Sequence, residues 1–381
     1  MSAFSKIKQG IRVYIKNTDR ILLLLCTLAS AYGVALVYSA TQTDGLGRSG
    51  YLMQIIASVG GLVAAIIISQ FDYESICALW PVWASIAGIL VILTYTPLGL
   101  GVGGTDDTAW LEIFGVSFQP AELLKVAFII TFSKHLSVVR EHINRLRTVL
   151  LLCLHAMVPI GMVAFQGDDG TMLVFAFMFL SMMFIAGLKP LYFLIGATAV
   201  AAVIPLLWNR FISDKLDRIL ALFFVDEYLG GAGYQQYEGL KAIGSGQLWG
   251  KGFLQGGSSH VPSRPNDFIF TVAGEEFGFI GAVALLVLLV LIIWELWRCA
   301  VTARDRLGMF ICVGTMSMIG FQSLINIGMT LRVLPVIGIT LPFFSAGGSS
   351  VATLYLAIGL VLSVYFSSRA RVRNNIFTKP L

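Results

Sequence analysis

The sequence has few charged residues for its length of 381. Aspartate, glutamate, lysine and arginine make up 12% of it, whereas a soluble globular domain carries roughly 25%. Hydrophobic residues make up 57%. This composition excludes an intrinsically disordered chain, which needs low hydrophobicity and high charge. It also argues against two or three soluble domains, and it predicts a single membrane-embedded domain over residues 1–381.

Motifs for metal ligation, nucleotide binding and nucleophilic catalysis are also missing. The five cysteines form no CxxC pair and have no metal-ligand spacing, so we expect small buried hydrophobic residues. There is no Walker motif, dinucleotide-binding fingerprint or nucleophile elbow. Nucleotide-driven transport is therefore not expected. A net charge of only +5 gives no reason to expect nucleic-acid binding.

Long apolar runs are what the sequence does contain. A bilayer core of about 30 Å needs about 20 apolar residues in a helix, because no water is present there to satisfy an open backbone. Ten candidate spans cover approximately residues 21–41, 51–70, 76–97, 117–133, 148–166, 170–188, 190–209, 272–296, 307–330 and 347–367. The fourth is the weakest, since Glu122 and Lys125 interrupt it. The sixth and seventh meet at Leu188–Lys189–Pro190, which predicts a tight helical hairpin.

The distribution of lysine and arginine predicts the orientation of these spans. An even number of spans puts both termini on one side. Outside the long loop, 17 basic residues fall on that side and 2 on the other. Because positive charge accumulates on the cytoplasmic side, both termini are predicted to be cytoplasmic. The predicted fold is an all-α, ten-helix bundle over 21–367 with tails 1–20 and 368–381. A long extracellular loop, about 210–268, joins helices 7 and 8.

Two irregular segments of the sequence are rich in apolar residues. From Gly230 to Gly257, ten of 28 residues are glycine, but aromatic and aliphatic residues are interspersed, so we expect packing against the membrane face rather than a flexible linker. Within this stretch, Tyr234 to Ile243 is predicted to form a short helix. The second segment, Arg332 to Ser345, is almost wholly apolar. It is predicted to dip into the outer leaflet under a cover of protein.

Charges within spans are functional candidates, because they are expensive in a membrane. Glu122 and Lys125 lie three residues apart on one helix face. They are compatible with a structural ion pair and with a polar cavity for a charged ligand, and the spacing leaves both open. Asp168 and Asp169 stand at the start of helix 6, where a carboxylate is favoured and where either can cap the helix. For Asp168 we favour a position facing a cavity.

Asp267 lies where a proline-constrained loop meets an apolar helix. A carboxylate fixed at a membrane–water boundary can act as a general base or bind a metal ion. An N-cap is the structural alternative, and the sequence alone does not decide between them. Glu275 and Glu276 follow about two helical turns later. One of them is expected to face the same cavity.

Taken together and in order, these segments resemble the SEDS family of bacterial cell-wall proteins. The matching pieces are Phe118–Lys125, Gln166–Thr171, Ala242–Gly246 with Gly250–Gly252, His260–Pro262 with Asn266–Phe270, Glu275–Gly278, and Asn326 with Pro335–Ser350. They extend over about residues 20 to 367. The family's Gln-Pro-Asp-Leu-Gly-Thr reads Gln-Gly-Asp-Asp-Gly-Thr here, so its acid corresponds to Asp168. An arginine that is common before Trp110 is replaced by Ala109.

The resemblance implies a peptidoglycan glycosyltransferase of the bacterial plasma membrane. Such enzymes polymerise lipid II at the outer face, without a nucleotide. They work beside a class B penicillin-binding protein, a transpeptidase whose transmembrane helix packs near the late spans, and beside other proteins of the elongation or division complex. Within the family, the short tails favour a RodA-like member. The alternatives are a lipid II flippase or other transporter, and a non-catalytic scaffold.

The resemblance also implies a set of site residues. Asp267 matches the family's catalytic aspartate, and inversion at the sugar needs a general base rather than a covalent nucleophile. The leaving pyrophosphate needs positive charge, for which Lys125, Lys241, Lys251 and Arg264 are candidates. A divalent cation, Mg²⁺ or Mn²⁺, is a further candidate, with Asp267 as one ligand. The other substrate-binding candidates are Gln119, Glu122, Asp168, Glu275 and Ser349.

Overall fold

The computed structural model describes residues 16–43, 49–101, 108–113, 115–207, 213–231, 233–257 and 260–377. Most of the predicted N-terminal tail, the last four residues of the C-terminal tail and residues 208–212 of the predicted external loop lie outside the described residues. The remaining predicted segments can be compared with the structure.

The described part of the chain is predominantly α-helical. The helices are Arg20–Thr43 (α1), Ser49–Ile68 (α2), Tyr73–Ala78 (α3), Trp80–Leu93 (α4), Pro120–Val139 (α5), Leu146–Phe165 (α6), Asp169–Ala186 (α7), Pro190–Leu207 (α8), Ser213–Leu220 (α9), Val225–Tyr228 (α10), Tyr234–Gly246 (α11), Ile269–Val301 (α12), Arg306–Thr330 (α13) and Gly348–Phe377 (α14). A 3-10 turn, Arg140–His142, follows α5. Helix α11 confirms the short helix predicted from Tyr234.

Seven helices of the described chain are long and apolar enough to cross a membrane: α1, α2, α6, α7, α12, α13 and α14. Helices α4 and α8 are shorter apolar helices, and α5 carries Glu122 and Lys125. A helix therefore occupies each of the ten predicted runs. The third run is divided at Leu79, where Pro81 removes a backbone donor and begins a new helix. The chain is a multi-pass membrane protein.

A small sheet stands directly before α5. Strands Gly99–Leu100 (β1), Trp110–Ile113 (β2) and Val116–Phe118 (β3) pair antiparallel in the order β1-β2-β3, with Leu111 opposite Phe118. The fourth run was predicted to become helical at residue 117, but this position belongs to β3. The helix begins instead at Pro120, because proline is favoured in the first turn, where its missing N–H costs nothing.

The turn between α7 and α8 is as short as predicted. Gly187 has a φ of 91° and ends α7 in the left-handed conformation that favours glycine. The rings of Phe184 and Phe193 meet near the turn, with centroids 6.3 Å apart. Beyond that contact α8 leaves the bundle, since every residue from Leu194 to Val203 is exposed.

The second half of the irregular segment 332–345 is covered by protein, as predicted, whereas its first half is not, since Val333 is 71% exposed. Its residues Ile339, Leu341, Phe343 and Phe344 are buried. Side-chain amides satisfy its carbonyl groups: Gln54 Nε2 donates to Ser345 O at 3.0 Å and Gln236 Nε2 donates to Leu334 O at 2.7 Å. These bonds replace the backbone pairing that the segment lacks.

Helix α12 is interrupted near its start, at Gly278. Gly278 has a φ of 65° and a ψ of −161°, so it is not helical. The glycine-rich stretch 247–252 occupies the break: Phe279 N donates to Gln247 O at 2.8 Å, and Lys251 N donates to Glu275 O at 3.0 Å. A Cβ atom on Gly278 would lie 2.3 Å from Gly250 N, so only glycine permits this approach.

Candidate active site

Asp267 is held in a turn that ends where α12 begins. The main-chain N–H groups of Asn266 and Phe268 both donate to Ser263 O, at 3.0 and 3.3 Å. The N-cap of α12 is Phe268, with no side-chain cap hydrogen bond. The carboxylate of Asp267 does not cap this helix, and the structural alternative considered from the sequence is therefore wrong.

The carboxylate of Asp267 lies against the irregular segment. A Cβ atom on Gly338 would lie 3.7 Å from Asp267 Oδ2. The neighbouring Ile337 and Ile339 pack on the start of α7, where a Cβ atom on Gly170 would lie 3.1 Å from Ile337 O and 2.8 Å from Ile339 Cγ1. The segment 337–339 therefore runs from the Asp267 turn to the start of α7.

Asp168 caps α7 at that point. Its Oδ1 accepts a hydrogen bond from Thr171 N at 2.9 Å, and its Oδ2 accepts one from Gln119 Nε2 at 2.8 Å. Burial raises the pKa of Asp168, although the hydrogen bond from Thr171 opposes the rise. Asp168 thus combines the two roles that the sequence treated as alternatives: it caps the helix and faces a polar cluster.

The two carboxylates influence one another. Burial raises the pKa of Asp267 to about 6, and the negative charge of Asp168 contributes to the rise. A carboxyl group with that pKa is ionised at neutral pH and is a stronger base than an exposed aspartate.

Helix α5 supplies the remaining charges of the cluster. Lys125 Nζ lies 2.8 Å from Glu122 Oε1, and both side chains are buried. Thr353 Oγ1 on α14 donates to Glu122 Oε2 at 3.3 Å. The pair is therefore an ion pair, as one interpretation of the sequence held. Both charges also act on the nearby Asp168: Lys125 lowers its pKa and Glu122 raises it.

Ser349 connects α14 to the same cluster. Its Oγ accepts a hydrogen bond from the main-chain N–H of Gln119 at 3.5 Å. Gln119 in turn holds Asp168. The predicted site residues Gln119, Glu122, Lys125, Asp168, Asp267 and Ser349 are thus brought into one polar region at the ends of α5, α7, α12 and α14. Its charged groups are three acids and one base, a balance that favours a bound cation or proton.

Arg264 belongs to a second cluster. The guanidinium is fully buried, with Nη2 2.7 Å from Glu275 Oε2, and Nη1 donates to Thr43 Oγ1 at 3.0 Å. Lys251 Nζ lies 2.9 Å from Glu275 Oε1. Glu276 accepts from Ser39 Oγ at 2.6 Å. The two glutamates therefore hold the glycine-rich stretch and α1. One of them had been expected to face the Asp267 cavity. Glu275 pairs with Arg264 instead, because a buried arginine requires an opposite charge.

Lys251 and Lys241 are the more accessible of the four predicted basic residues. The side chain of Lys251 is partly exposed, and that of Lys241, on α11, is 62% exposed and 3.5 Å from Glu238. Lys125 and Arg264 are buried. The predicted pyrophosphate ligands are thus distributed over two clusters and a loop helix.

Three residues outside the predicted site residues position the Asp267 turn: Asn326 and Ser345, which belong to the matching segments, and Gln54, which the sequence did not single out. Asn326 Nδ2 donates to Asp267 O at 2.8 Å and to Ile339 O at 2.7 Å. Ser345 Oγ donates to Asn266 O at 2.6 Å, and Gln54 binds the main chain of Ser345. Polar side chains within apolar runs were the available signal, since a buried amide must find partners.

A divalent cation fits the chemistry of the polar region. Carboxylate oxygens suit Mg²⁺, which is commonly bound by one or two carboxylates together with substrate phosphates. Asp168 and Asp267 are the residues that would hold it. Among the residues that the structure describes, no group of three or more histidine, cysteine, aspartate or glutamate side chains is arranged around a metal position.

Two apolar grooves flank the bundle. One, of about 390 Å³, lies between α4, α5 and α6 and includes Leu124, Phe128 and His155 in its lining. The other, of about 510 Å³, lies between α7, α8, α12 and α13, with Phe184, Phe193 and Ile293 among its lining residues. Leu124, which lines the first groove, precedes Lys125 in the same turn of α5.

Sequence comparison identifies similar proteins over almost the whole chain. The model of the FtsW, RodA and SpoVE family, described as cell cycle proteins, matches residues 19–370. Stage V sporulation protein E of Bacillus subtilis is 30% identical over 93% of this chain and 98% of its own. The peptidoglycan glycosyltransferase MrdB of Escherichia coli K12 is 31% identical over 92% and 94%, respectively.

Comparison with solved structures also finds similar proteins over almost the whole chain. RodA of Thermus thermophilus, a rod shape determining protein, superposes with a TM-score of 0.68 at 27% identity, covering 91% of this chain and 96% of RodA. A chain from a peptidoglycan synthase complex that coordinates polymerization and crosslinking superposes with a TM-score of 0.78 at 27% identity. The alignment covers 92% of this chain and 98% of that one.

Proposed function

The chain belongs to the FtsW, RodA and SpoVE family, known as the SEDS family, and we propose that it is a peptidoglycan glycosyltransferase that polymerises lipid II with Asp267 as the general base. The observation that carries this proposal is the pair of half-buried carboxylates, Asp267 and Asp168, on either side of the segment 337–339. Desolvation, with a contribution from the charge of Asp168, raises the pKa of Asp267 to about 6. The relatives named as peptidoglycan glycosyltransferases support the activity. The favoured RodA-like role stays a prediction, because the division, elongation and sporulation relatives are all 28–31% identical.

In the proposed reaction, a sugar hydroxyl of one lipid II-type substrate attacks the anomeric carbon of the other. The O–H proton passes to a carboxylate oxygen of Asp267 as the new glycosidic C–O bond forms. The bond from the anomeric carbon to the pyrophosphate oxygen breaks, and its electron pair leaves with the undecaprenyl pyrophosphate. The configuration inverts in this single displacement, so no covalent sugar–enzyme intermediate is required.

Positive charge is needed where the pyrophosphate leaves. Lys125 is a candidate, since its positive charge lowers the pKa of Asp168. When bound, a Mg²⁺ or Mn²⁺ ion would supply further charge stabilisation at the pyrophosphate. Asp168 would hold such an ion, kept in position by Gln119. Lys251 and Lys241 remain candidates for substrate groups that lie further out.

The groove between α4, α5 and α6 supports a lipid-linked substrate. Its wall is apolar, and one lining residue, Leu124, lies in the same turn of α5 as Lys125. A molecule with a charged head and a long hydrocarbon tail can place the head beside Asp168 and the tail in the groove. An undecaprenyl pyrophosphate has this arrangement, a charged pyrophosphate joined to a long hydrocarbon chain.

The proposed topology has ten crossings, with both termini in the cytoplasm and the Asp267 site at the outer face of the plasma membrane. The excess of basic residues, 17 against 2, supports this orientation. The position of a helix at each predicted run supports the number of crossings. Lipid-linked precursors polymerised at that face would become cell wall directly.

A transmembrane helix of a class B penicillin-binding protein is the proposed partner of the late spans. The groove lined by Phe193, Ile293 and Phe321 is apolar and open towards the exposed helix α8, which supports a helical partner there. The similar chain in a peptidoglycan synthase complex supports such an assembly. Other proteins of the elongation or division machinery are proposed to join through it.

The deciding experiment is polymerisation of labelled lipid II in proteoliposomes, without nucleotide, with and without Mg²⁺ or Mn²⁺ and the cognate penicillin-binding protein. Wild-type protein is expected to form glycan polymer and Asp267→Asn none. Gln70→Ala, at an exposed position outside the predicted site, controls for non-specific loss. Lipid II translocation without polymer would support a flippase instead. Complementation of a deletion strain by Asp267→Asn would support a scaffold.

A further inference from the structure

Two polar layers of the bundle lie one bilayer core apart. The first joins Asp19, Arg298 and Glu295 at the ends of α1 and α12. The second joins Ser39 on α1 to Glu276 on α12. Twenty residues separate Asp19 from Ser39, and nineteen separate Glu295 from Glu276. At 1.5 Å per residue, the unbroken helix α1 gives a separation of about 30 Å between the two layers, which is the thickness of the hydrocarbon core.

The glycine-rich stretch crosses the second layer into this interval. Gln247 O and Leu248 O accept hydrogen bonds from the N–H groups of Phe279 and Ile280, at 2.8 and 3.3 Å. Both donors lie beyond Glu276 on the way to Glu295. Phe279 stands sixteen residues, about 24 Å, from Glu295 and therefore within the core thickness. Gln247 and Leu248 form the tip of a loop that was predicted to be extracellular. This tip is thus level with the apolar core of the membrane.

The polarity of the stretch changes at the layer. Lys251 and the N–H groups of Leu254 and Gly257 face the carboxylates of Glu275 and Glu276. Leu248 and Trp249, on the far side, are exposed, Trp249 by 77%. They continue an exposed apolar stripe of α12 that comprises Phe279, Ile280, Val287, Val290, Leu291 and Trp294. This stripe lies within the membrane span and has the exposure of a lipid-facing surface.

We propose that Leu248 and Trp249 insert into the bilayer leaflet on the Asp267 side and contact lipid acyl chains directly, so that the loop is anchored in the membrane. The occupant is lipid because the tip lies within the core interval and continues the exposed stripe of α12. Tryptophan is enriched at such a boundary, where its ring is apolar and its N–H reaches the polar layer. Through Lys251 and Glu275 the anchor is connected to Arg264, three residues before Asp267.

The test uses depth-dependent quenching in lipid nanodiscs. Trp249→Cys and, separately, Leu248→Cys are labelled with an environment-sensitive fluorophore. Lys241→Cys, on an exposed polar position of the same loop, is the aqueous control, and Trp294→Cys, 64% exposed on the stripe, is the lipid control. Labelling of the unsubstituted protein measures the background from the five native cysteines.

Labels at 248 and 249 are expected to be quenched by lipids brominated on the acyl chain as strongly as the label at 294. Quenching by aqueous iodide should be several-fold weaker than at 241. Iodide quenching equal to that at 241 would overturn the proposal. Resistance to both quenchers would also overturn it, because the position would then be covered by protein. Two adjacent positions keep the test decisive if one variant does not fold.

Discussion

Asn326 holds the main chain of Asp267 through a hydrogen bond of 2.8 Å from Nδ2 to the carbonyl oxygen. The same amide nitrogen donates to Ile339 O, beside the glycine that lies against the Asp267 carboxylate. One fully buried side chain of α13 thus sets the spacing between the proposed base and the segment that faces it. It positions Asp267 without touching its carboxylate.

Asn326→Ala is expected to leave two buried carbonyl groups without this donor. Each loss costs about 1–3 kcal/mol, so the melting temperature should fall. Polymerisation should fall further than the folded fraction, and the acidic limb of its pH profile should move, because the environment of Asp267 changes. Asn326→Asp is the size-matched variant that removes the donors. A loss of activity that only parallels unfolding, with an unchanged pH profile, would reduce Asn326 to a purely structural residue.

The pH dependence of polymerisation should report Asp267. With a pKa of about 6, the rate at subsaturating lipid II should fall about tenfold per pH unit well below 6 and level off above about 7. Asp168→Asn removes a negative charge that raises this pKa, so the limb of its residual activity should move to lower pH. A limb that stays in place would show that the two carboxylates do not interact during turnover.

Asp267→Asn should preserve or increase thermal stability at pH 7.5. A carboxyl group whose pKa is raised on folding binds its proton more tightly in the native state, so stability is lost as the pH rises from its ordinary pKa of 3.8 to about 6 and the loss is complete above that. Asparagine carries no charge and removes this penalty. Thermal unfolding at pH 5 and pH 7.5 measures the effect, which should be larger at pH 7.5. A marked drop in melting temperature would instead assign the carboxylate a structural role.

Glu275→Gln should destabilise the protein by about 1–3 kcal/mol, because it removes the carboxylate 2.7 Å from the buried Arg264 and leaves Glu276, at 3.9 Å, as the remaining acidic partner. Arg264→Met with Glu275→Met removes both charges and should cost less than the sum of the single changes. Lys241→Ala, on the exposed pair with Glu238, should change stability by less than about 1 kcal/mol. If Arg264→Met instead raised the KM for lipid II without lowering the melting temperature, a substrate-binding role would be favoured.

Gly250→Ala should release the glycine-rich stretch from α12. The residue has a φ of 82°, and a Cβ atom would lie 2.1 Å from Glu276 O. Gly88→Ala is the control, since nothing lies within 4 Å of a Cβ atom there and alanine is favoured in a helix by about 1 kcal/mol. Limited proteolysis of the loop should accelerate for Gly250→Ala and remain unchanged for Gly88→Ala.

Local spacing predicted some of this site well. Glu122 and Lys125, three residues apart on a helix, form the expected ion pair, and Asp168 stands at the start of its helix because a carboxylate is favoured there. Ten apolar runs predicted ten helices, since hydrophobic length is a local property. The ends of the helices were less predictable. Strand β3 occupies residues predicted to begin the fourth helix, and the third run is divided into two helices at Pro81.

Partners that lie far apart in the sequence could not be predicted. Arg264 was expected to bind pyrophosphate, but whether a loop arginine is buried depends on how the loop folds back on α12. The same applies to the penetration of Leu248 and Trp249 to the level of Ile280, which requires Gly250 and Gly278 to meet. Glycine content indicated close approach, but it did not identify the surface that is approached.

The bonds between Gln54 and Ser345 bear on how the protein is made. They join α2 to the segment before α14, so the turn that carries Asp267 is completed by contacts 291 residues apart. A nascent chain that has delivered its first thirteen helices to the membrane still lacks this support. The site consequently matures at the end of biosynthesis, and a chain truncated before residue 345 would be inserted but inert.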